Sequence, residues 1–231
     1  MNFEKDSILE GQMILVNKPL NWTSFQVVNK VRWLLRKKHN LKKIKVGHAG
    51  TLDPLASGLL LICTGKMTKK IEDLMGKEKT YIGTFFVGAT TPSYDLETKV
   101  DNHFAYDHIT PYLIEEVKKQ FVGTISQQPP LFSAIKKEGK RLYEHARAGE
   151  QVEIPKRNVV IHEFELTRVA LPEIDFKICC SKGTYIRSIA NDFGKALDSG
   201  AYLKSLCRTA IGPHSLEEAF SIETLEALIK S

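Results

Sequence analysis

The chain is short of cysteine and has none in a metal-binding arrangement. Cys63, Cys179, Cys180 and Cys207 form no Cys-x-x-Cys pair and have no accompanying histidine spacing, so the common zinc frameworks are excluded and no metal site is expected. Cys179 and Cys180 are neighbours in an apolar segment, where a strand sends alternate side chains to opposite faces. Buried, reduced thiols packing as small hydrophobes are the expectation. No stretch approaches the ~20 apolar residues of a membrane-spanning helix. The first six residues, Met1 to Asp6, lack the basic start and apolar run of a signal peptide. A soluble, cytoplasmic protein with no membrane partner is therefore expected. Equally missing are a Gly-x-x-x-x-Gly-Lys phosphate loop, a Gly-x-Gly-x-x-Gly fingerprint, a Gly-x-Ser-x-Gly elbow and a His-Glu-x-x-His helix. ATP, nicotinamide, serine hydrolase and zinc protease chemistries have no support. There is no internal repeat and no low-complexity linker.

One local absence is more telling. Between Gly11 and Leu52 there is no Asp or Glu, yet Lys18, Lys30, Arg32, Arg36, Lys37, Lys38, Lys42, Lys43 and Lys45 all fall there. The net charge of the whole chain is +6, and this segment alone carries +9, so the remainder nets to −3. Clustered positive charge suits a polyphosphate partner, because each neutralised phosphate releases condensed counterions. Charge alone leaves RNA, DNA, an acidic membrane surface and a merely solvated helix end open.

What is present reads as one globular domain, with 231 residues, 42% of them hydrophobic and 26% charged. Met13 to Val16 predicts a strand running into Asn17-Lys18-Pro19. Thr23 or Ser24 is placed to cap a helix whose apolar face is Val27, Val28, Val31, Leu34 and Leu35 and whose end is Arg36-Lys37-Lys38-His39. Val46 to Gly58 reads as a loop before the apolar run Leu59 to Cys63. A polar helix over 66–74, a strand over 81–87 and a helix over 114–121 follow. Val159 to Val169 and Ile174 to Cys180 predict a hairpin turning at Leu171-Pro172-Glu173. Helical periodicity returns over 184–197, a strand over 202–211, and Ser221 to Thr224 predicts a capping box for a closing helix. This interspersion favours an α+β fold with a mixed sheet over a doubly wound parallel one.

Asp53 is the only acid between Glu10 and Glu72, set in a Gly/Pro-rich stretch beside the most basic part of the chain. A carboxylate in a positive field stays ionised, ready to act as nucleophile or base. An aspartate that merely starts an Asp-Pro turn is the plainer alternative, and the residue by itself leaves both open.

The surrounding run, Gly47-His48-Ala49-Gly50-Thr51-Leu52-Asp53-Pro54-Leu55-Ala56-Ser57-Gly58-Leu59-Leu60, closely resembles the catalytic loop of the TruB family of tRNA pseudouridine synthases. The resemblance implies that Asp53 is the catalytic residue. Lys79-Thr80-Tyr81 resembles the family's Lys-x-Tyr element, which makes Tyr81 the aromatic stacked on the target base. Gln128 to Lys136 and Gly139 to Glu144 resemble a further signature. Cys180 to Arg187 resembles the segment whose arginine pairs with the catalytic carboxylate, here Arg187. Leu203 to Arg208 resembles the strand whose leucine lines the uracil pocket, here Leu206. His48 resembles the histidine that fills the space left by the flipped base. By the same resemblance Gly50, Thr51, Tyr185, Lys79 and Lys18 are assigned to substrate binding. Arg36, Lys37, Lys38, Lys42, Lys43 and Arg141 are assigned to the RNA backbone.

The match runs from about Met13 to Ile222 and has two departures. Asn17 stands where the family usually has Asp, and Pro92 replaces the first acid of a Thr-Asp-Thr-x-Asp segment, leaving Thr91-Pro92-Ser93-Tyr94-Asp95. Family resemblance implies a pseudouridine synthase fold, with a central mixed, mostly antiparallel sheet, flanking helices and loops, and a catalytic cleft across the sheet. It also implies one catalytic domain over 1–231, without the C-terminal PUA domain of many relatives. The implied reaction isomerises uridine 55 in the tRNA T-loop. It breaks the C1′–N1 bond, turns the base and joins C1′ to C5. No redox change or group transfer is involved, so no cofactor is expected, and a monomer acting on the tRNA T-arm needs no protein partner. Attack by the carboxylate at C1′, attack at C6 and abstraction of a ribose proton remain open. Three rival readings are a tRNA folding chaperone, a guide-RNA-dependent synthase for rRNA, and a nucleobase glycosylase.

Overall fold

The structure is a computed structural model that describes every residue except Met1, Asn2, Ala134, Glu138 and Gln151; the side chains of Lys136, Lys137, Arg141 and Arg147 also lie outside the described set. In chain order the elements are α1 (Lys5–Glu10), β1 (Met13–Lys18), α2 (Ser24–His39), β2 (Val46–Ala49), β3 (Ala56–Thr64), α3 (Ile71–Met75), β4 (Lys79–Val87), β5 (Ala89–Thr90) and β6 (Asn102–His103). Next come α4 (Pro111–Lys119), β7 (Gly123–Gln127), β8 (Lys136–Lys137), β9 (Lys140–Arg141), α5 (Leu142–Arg147), β10 (Arg157–Ala170) and β11 (Glu173–Cys180). The chain closes with α6 (Ile186–Ala196), β12 (Ala201–Ile211), β13 (His214–Ser215) and α7 (Ile222–Lys230). Two compact units result: Met1–Tyr81 with Leu206–Ser231, and Ile82–Ser205.

In the first unit β3 is the central strand. It pairs antiparallel with β1, from Met13 opposite Cys63 to Lys18 opposite Gly58. It also pairs antiparallel with β2, from Val46 opposite Thr64 to Ala49 opposite Leu61, and parallel with β12 at Ala56 to Gly58. The parallel pair makes the sheet mixed. Leu60 and Ile62 enter one core with Val27, Val28, Val31, Leu34 and Leu35 of α2 and Ile222, Leu225 and Ile229 of α7. Leu59 and Leu61 point the other way, into a second core with Ala49 and Ile211. Both faces of β3 are therefore covered, which is why its sequence is a continuous apolar run rather than an alternation.

Thr23 caps α2 in a full capping box: its hydroxyl accepts from Gln26 N at 3.1 Å, and Gln26 Oε1 accepts from Thr23 N at 2.7 Å. Asn40 ends the helix in the left-handed conformation. The closing helix has only half of the predicted box. Ser221 Oγ accepts from Thr224 N at 3.1 Å, but its hydroxyl lies against Thr224 Oγ1, 3.1 Å away. A threonine at the third position is too short to reach back as Glu or Gln would.

The second unit carries the strand order β4-β11-β10-β7. β10 and β11 form the expected antiparallel hairpin, and β7 pairs antiparallel with β10. Phe85 stacks on Phe176 with ring centroids 4.2 Å apart, and Phe193 of α6 lies 5.7 Å from Phe85, so aromatic packing fixes α6 on the sheet. That helix spans 186–196 rather than 184–197, with Tyr185 as its cap. The segment predicted as a loop over 46–58 is shorter: β2 and the start of β3 take its ends and leave 50–55. Cys63 and Cys180 are buried as expected, whereas Cys179 and Cys207 are only half-buried. Among the described residues no helix is long and apolar enough to cross a membrane.

Candidate active site

The loop 50–55 joins β2 to β3, and its backbone is restrained at nearly every residue. Arg208 of β12 is only 1% exposed. Its Nη2 donates to Gly50 O at 2.9 Å and its Nε to Leu59 O at 2.8 Å, tying the loop's first residue to β3. Gly58 sits opposite Arg208 in the parallel register with φ of 104°, and a Cβ there would come within 2.3 Å of the Arg208 carbonyl oxygen. Only glycine lets the two strands approach so closely. Leu52 is buried, and its main chain is clamped from both sides by one hydroxyl. Ser24 Oγ accepts from Leu52 N at 2.8 Å and donates to Leu52 O at 3.1 Å. Ala56 N donates to Asp53 O at 3.1 Å, and Asn21 N donates to Pro54 O at 2.8 Å. Asp53, half-buried, thus projects from a pre-formed turn held by main-chain contacts, as a catalytic group requires.

Ser24→Ala leaves the buried Leu52 N–H without its acceptor. It is expected to destabilise the fold by about 1–3 kcal/mol in urea unfolding and to lower turnover more than RNA affinity. Equal losses in both would mean the clamp does not position Asp53.

Two further groups share this field. Lys18 is fully buried; its Nζ donates to Pro19 O at 2.9 Å and Trp22 O at 2.6 Å. Burial pulls its pKa down to about 8; the Asp53 charge opposes that shift and Arg208 adds to it. His48, on β2, has its pKa lowered, first by burial and then by the Arg208 charge, so it is held neutral. Its Nδ1 is buried and has no hydrogen-bond partner among the described residues. A lowered lysine pKa means the folded protein releases this proton before the unfolded chain does. Stability attributable to Lys18 must therefore rise with pH between about 8 and 10.5, the unfolded value. Unfolding of wild type and Lys18→Met in parallel should show wild type gaining on the variant across that window. A constant difference would contradict the burial effect.

The other assigned residues fall in several places. Tyr81, on β4, is 8% exposed. Lys79 is buried, and its ammonium donates back to the carbonyls of Met75 and Lys77, before β4. Leu206 lies on β12 opposite Ala56, and Thr51 is exposed on the loop. Arg36, Lys37, Lys38, Lys42 and Lys43 are all exposed at and after the end of α2. The side chain of Arg141 lies outside the described residues.

In the second unit Arg187 is the second residue of α6 and 3% exposed. Its Nη1 donates to Ser93 O at 3.3 Å, and its Nε lies 3.6 Å from Asp95 Oδ2. Asp95 is itself buried, and its Oδ1 accepts from Glu97 N at 3.0 Å. Asp95 is the acid that the 91–95 segment retains, whereas Pro92 and Asn17, the two departures, are both exposed. The departures therefore spare the buried ion pair. Tyr185 is held by the side-chain amide of Gln127, which accepts from Tyr185 N at 2.8 Å and donates to Tyr185 O at 3.0 Å. The Arg157 guanidinium sits 4.9 Å over the Tyr185 ring.

Arg208, Ser24, Asp95 and Gln127 carry structural roles that the motifs did not assign. A charged residue inside the predicted strand 202–211 was the one available signal for Arg208.

The fold is similar to a Cbf5–Nop10–Gar1 complex (TM-score 0.71, 28% identity) and to an H/ACA RNP bound to a substrate RNA containing 2′-deoxyuridine (TM-score 0.68, 26% identity). In each case 95% of this chain aligns, and it spans about half of the other chain, 54% and 53%. Residues 36–186 match the model of the TruB family pseudouridylate synthase (N terminal domain). Proteins named tRNA pseudouridine synthase B from Flavobacterium johnsoniae and Phocaeicola vulgatus are 62% and 52% identical. The first match covers 96% of this chain and 97% of the relative, the second 97% and 93%. The chain belongs to the TruB family of pseudouridylate synthases.

Proposed function

We propose that this chain isomerises uridine 55 in the T-loop of tRNA to pseudouridine, in the cytoplasm and as a monomer. The observation that carries the reading is the loop 50–55, which presents Asp53 from a backbone restrained by Ser24, Asn21 and Arg208. Breaking C1′–N1 and forming C1′–C5 moves one proton from C5 to water and leaves one on N1. Asp53 provides the ionised carboxylate. Arg187, held within the second unit by Asp95 and the Ser93 carbonyl, is the cation that the family resemblance assigns to the reaction. The target base leaves its stack at a cost of a few kcal/mol, and Tyr81 returns ~1–3 kcal/mol by stacking. A neutral His48 enters the vacated space without bringing a charge into it. Leu206 lines the uracil pocket.

Nucleoside analysis of unmodified tRNA after incubation with the protein tests the reading. Pseudouridine at position 55, absent when that uridine is changed to cytidine, is the expected product. Free uracil would identify a glycosylase instead, and intact uridine on tightly bound tRNA would identify an RNA chaperone.

A further inference from the structure

The face of α2 opposite its buried stripe is organised rather than merely solvated. Asn29, Arg32, Trp33, Arg36, Lys37 and Asn40 recur every three or four residues along it and, with Leu41, line an open groove of about 490 Å³. Trp33 is 48% exposed, a large aromatic surface left in water beside a helix whose core contacts are already complete. The guanidiniums on either side of it are held by neutral acceptors. Arg32 donates to Asn29 Oδ1 at 2.6 Å and to Val46 O at 2.8 Å, and Arg36 Nε donates to Leu41 O at 3.2 Å. These bonds orient the groups without cancelling their charge. Lys30 differs, being paired with Glu226 at 2.5 Å. Among the described residues no carboxylate is paired with Arg32, Arg36 or Lys37. The Lys37 ammonium lies 5.1 Å from the Trp33 ring centroid and that of Lys30 lies 5.5 Å from it, cation–π contacts that are weak against base stacking.

We propose that this groove is an RNA subsite in which Trp33 stacks on an unpaired base of the tRNA while Arg32, Arg36 and Lys37 contact the flanking phosphates. Lys37 leaves the ring for a phosphate when a base takes its place, while Lys30, tied to Glu226, gives up only its contact with the ring. The proposal rests on the reading of tRNA as substrate. Val46, which Arg32 touches, precedes Asp53 by seven residues, so the groove lies within ~25 Å of the catalytic loop along even a fully extended chain. One RNA molecule can reach both.

The chain has two tryptophans, Trp22 and Trp33, so Trp22→Phe makes Trp33 the sole reporter. Titrating that protein with unmodified tRNA should quench Trp33 fluorescence, and heparin, a polyanion without bases, should not. Trp33→Ala should weaken tRNA binding about tenfold and Trp33→Phe by less than about threefold, the range of one stacked base. Because the side chain is exposed, melting temperatures should stay within a few degrees. Arg36→Gln with Lys37→Gln should flatten the log–log salt dependence of binding by ~1.4, or ~0.7 per lost single-strand phosphate contact. Trp33 emission that ignores tRNA while the same protein binds and isomerises it would overturn the subsite and leave the enzyme reading standing. Equal quenching by heparin would overturn base stacking as well. A parent protein that neither binds nor isomerises tRNA would remove the functional reading itself.

Discussion

Replacing Asp53 by asparagine should abolish turnover, with a loss on the order of 10⁴-fold or more, while tRNA affinity stays within a few-fold. The asymmetry follows from how the loop is held. Arg208, Ser24, Asn21 and Ala56 all act on main-chain atoms of residues 50–54, so an isosteric amide leaves those restraints in place. Only the negative charge is lost, and with it the ability to attack carbon or take a proton. The same change removes the one nearby charge that raises the Lys18 pKa, so Lys18 should titrate still lower in the variant. Single-turnover kinetics with parallel filter binding separates the two readouts. Comparable losses in rate and affinity would mean that Asp53 serves RNA binding rather than chemistry.

The second large effect is at Arg187. Arg187→Met leaves Asp95 in a buried position without the guanidinium beside it. Breaking one side of a buried ion pair costs about 3–5 kcal/mol, because the surviving charge stays desolvated. Turnover should fall by a further ~10²–10³-fold among molecules that remain folded, the scale of one lost electrostatic donor. The double variant Asp95→Asn, Arg187→Met should regain part of the stability, since neither charge is then stranded, but none of the activity. Urea unfolding and single-turnover rates on the same preparations test both statements. A stability change below about 1 kcal/mol for Arg187→Met would contradict the buried pair, and recovered activity in the double variant would contradict a role for the guanidinium.

The helix α2 was legible because its five predicted apolar positions all enter one core, and a 3.6-residue period has one interpretation on a helix. The loop was over-extended because Gly47 and His48 look like loop residues by type, yet their backbones pair with Cys63 and Ile62. Backbone pairing leaves little trace in side-chain chemistry. The same reason hides Arg208: its acceptors are the carbonyls of Gly50 and Leu59, which any residue would supply. Ser24 was visible as a candidate cap, but Thr23 takes that role and frees the Ser24 hydroxyl for Leu52, a contact 28 positions away. Asp53 and the basic run stood out for the opposite reason, since an isolated charge or an uninterrupted block of one sign is a pattern in side-chain type alone. Pro92 removes one acid from the family's segment, but the geometry puts the retained Asp95 beside Arg187 and leaves Pro92 exposed.

The most direct test of the central claim uses unmodified tRNA carrying tritium at uridine C5, because forming the C1′–C5 bond must expel that hydrogen to water. Incubation with the wild-type protein should release tritium from the T-loop uridine alone, and Asp53→Ala should release none. Tight tRNA binding without tritium release, or release that persists in Asp53→Ala, would contradict the assignment of isomerase chemistry to this aspartate.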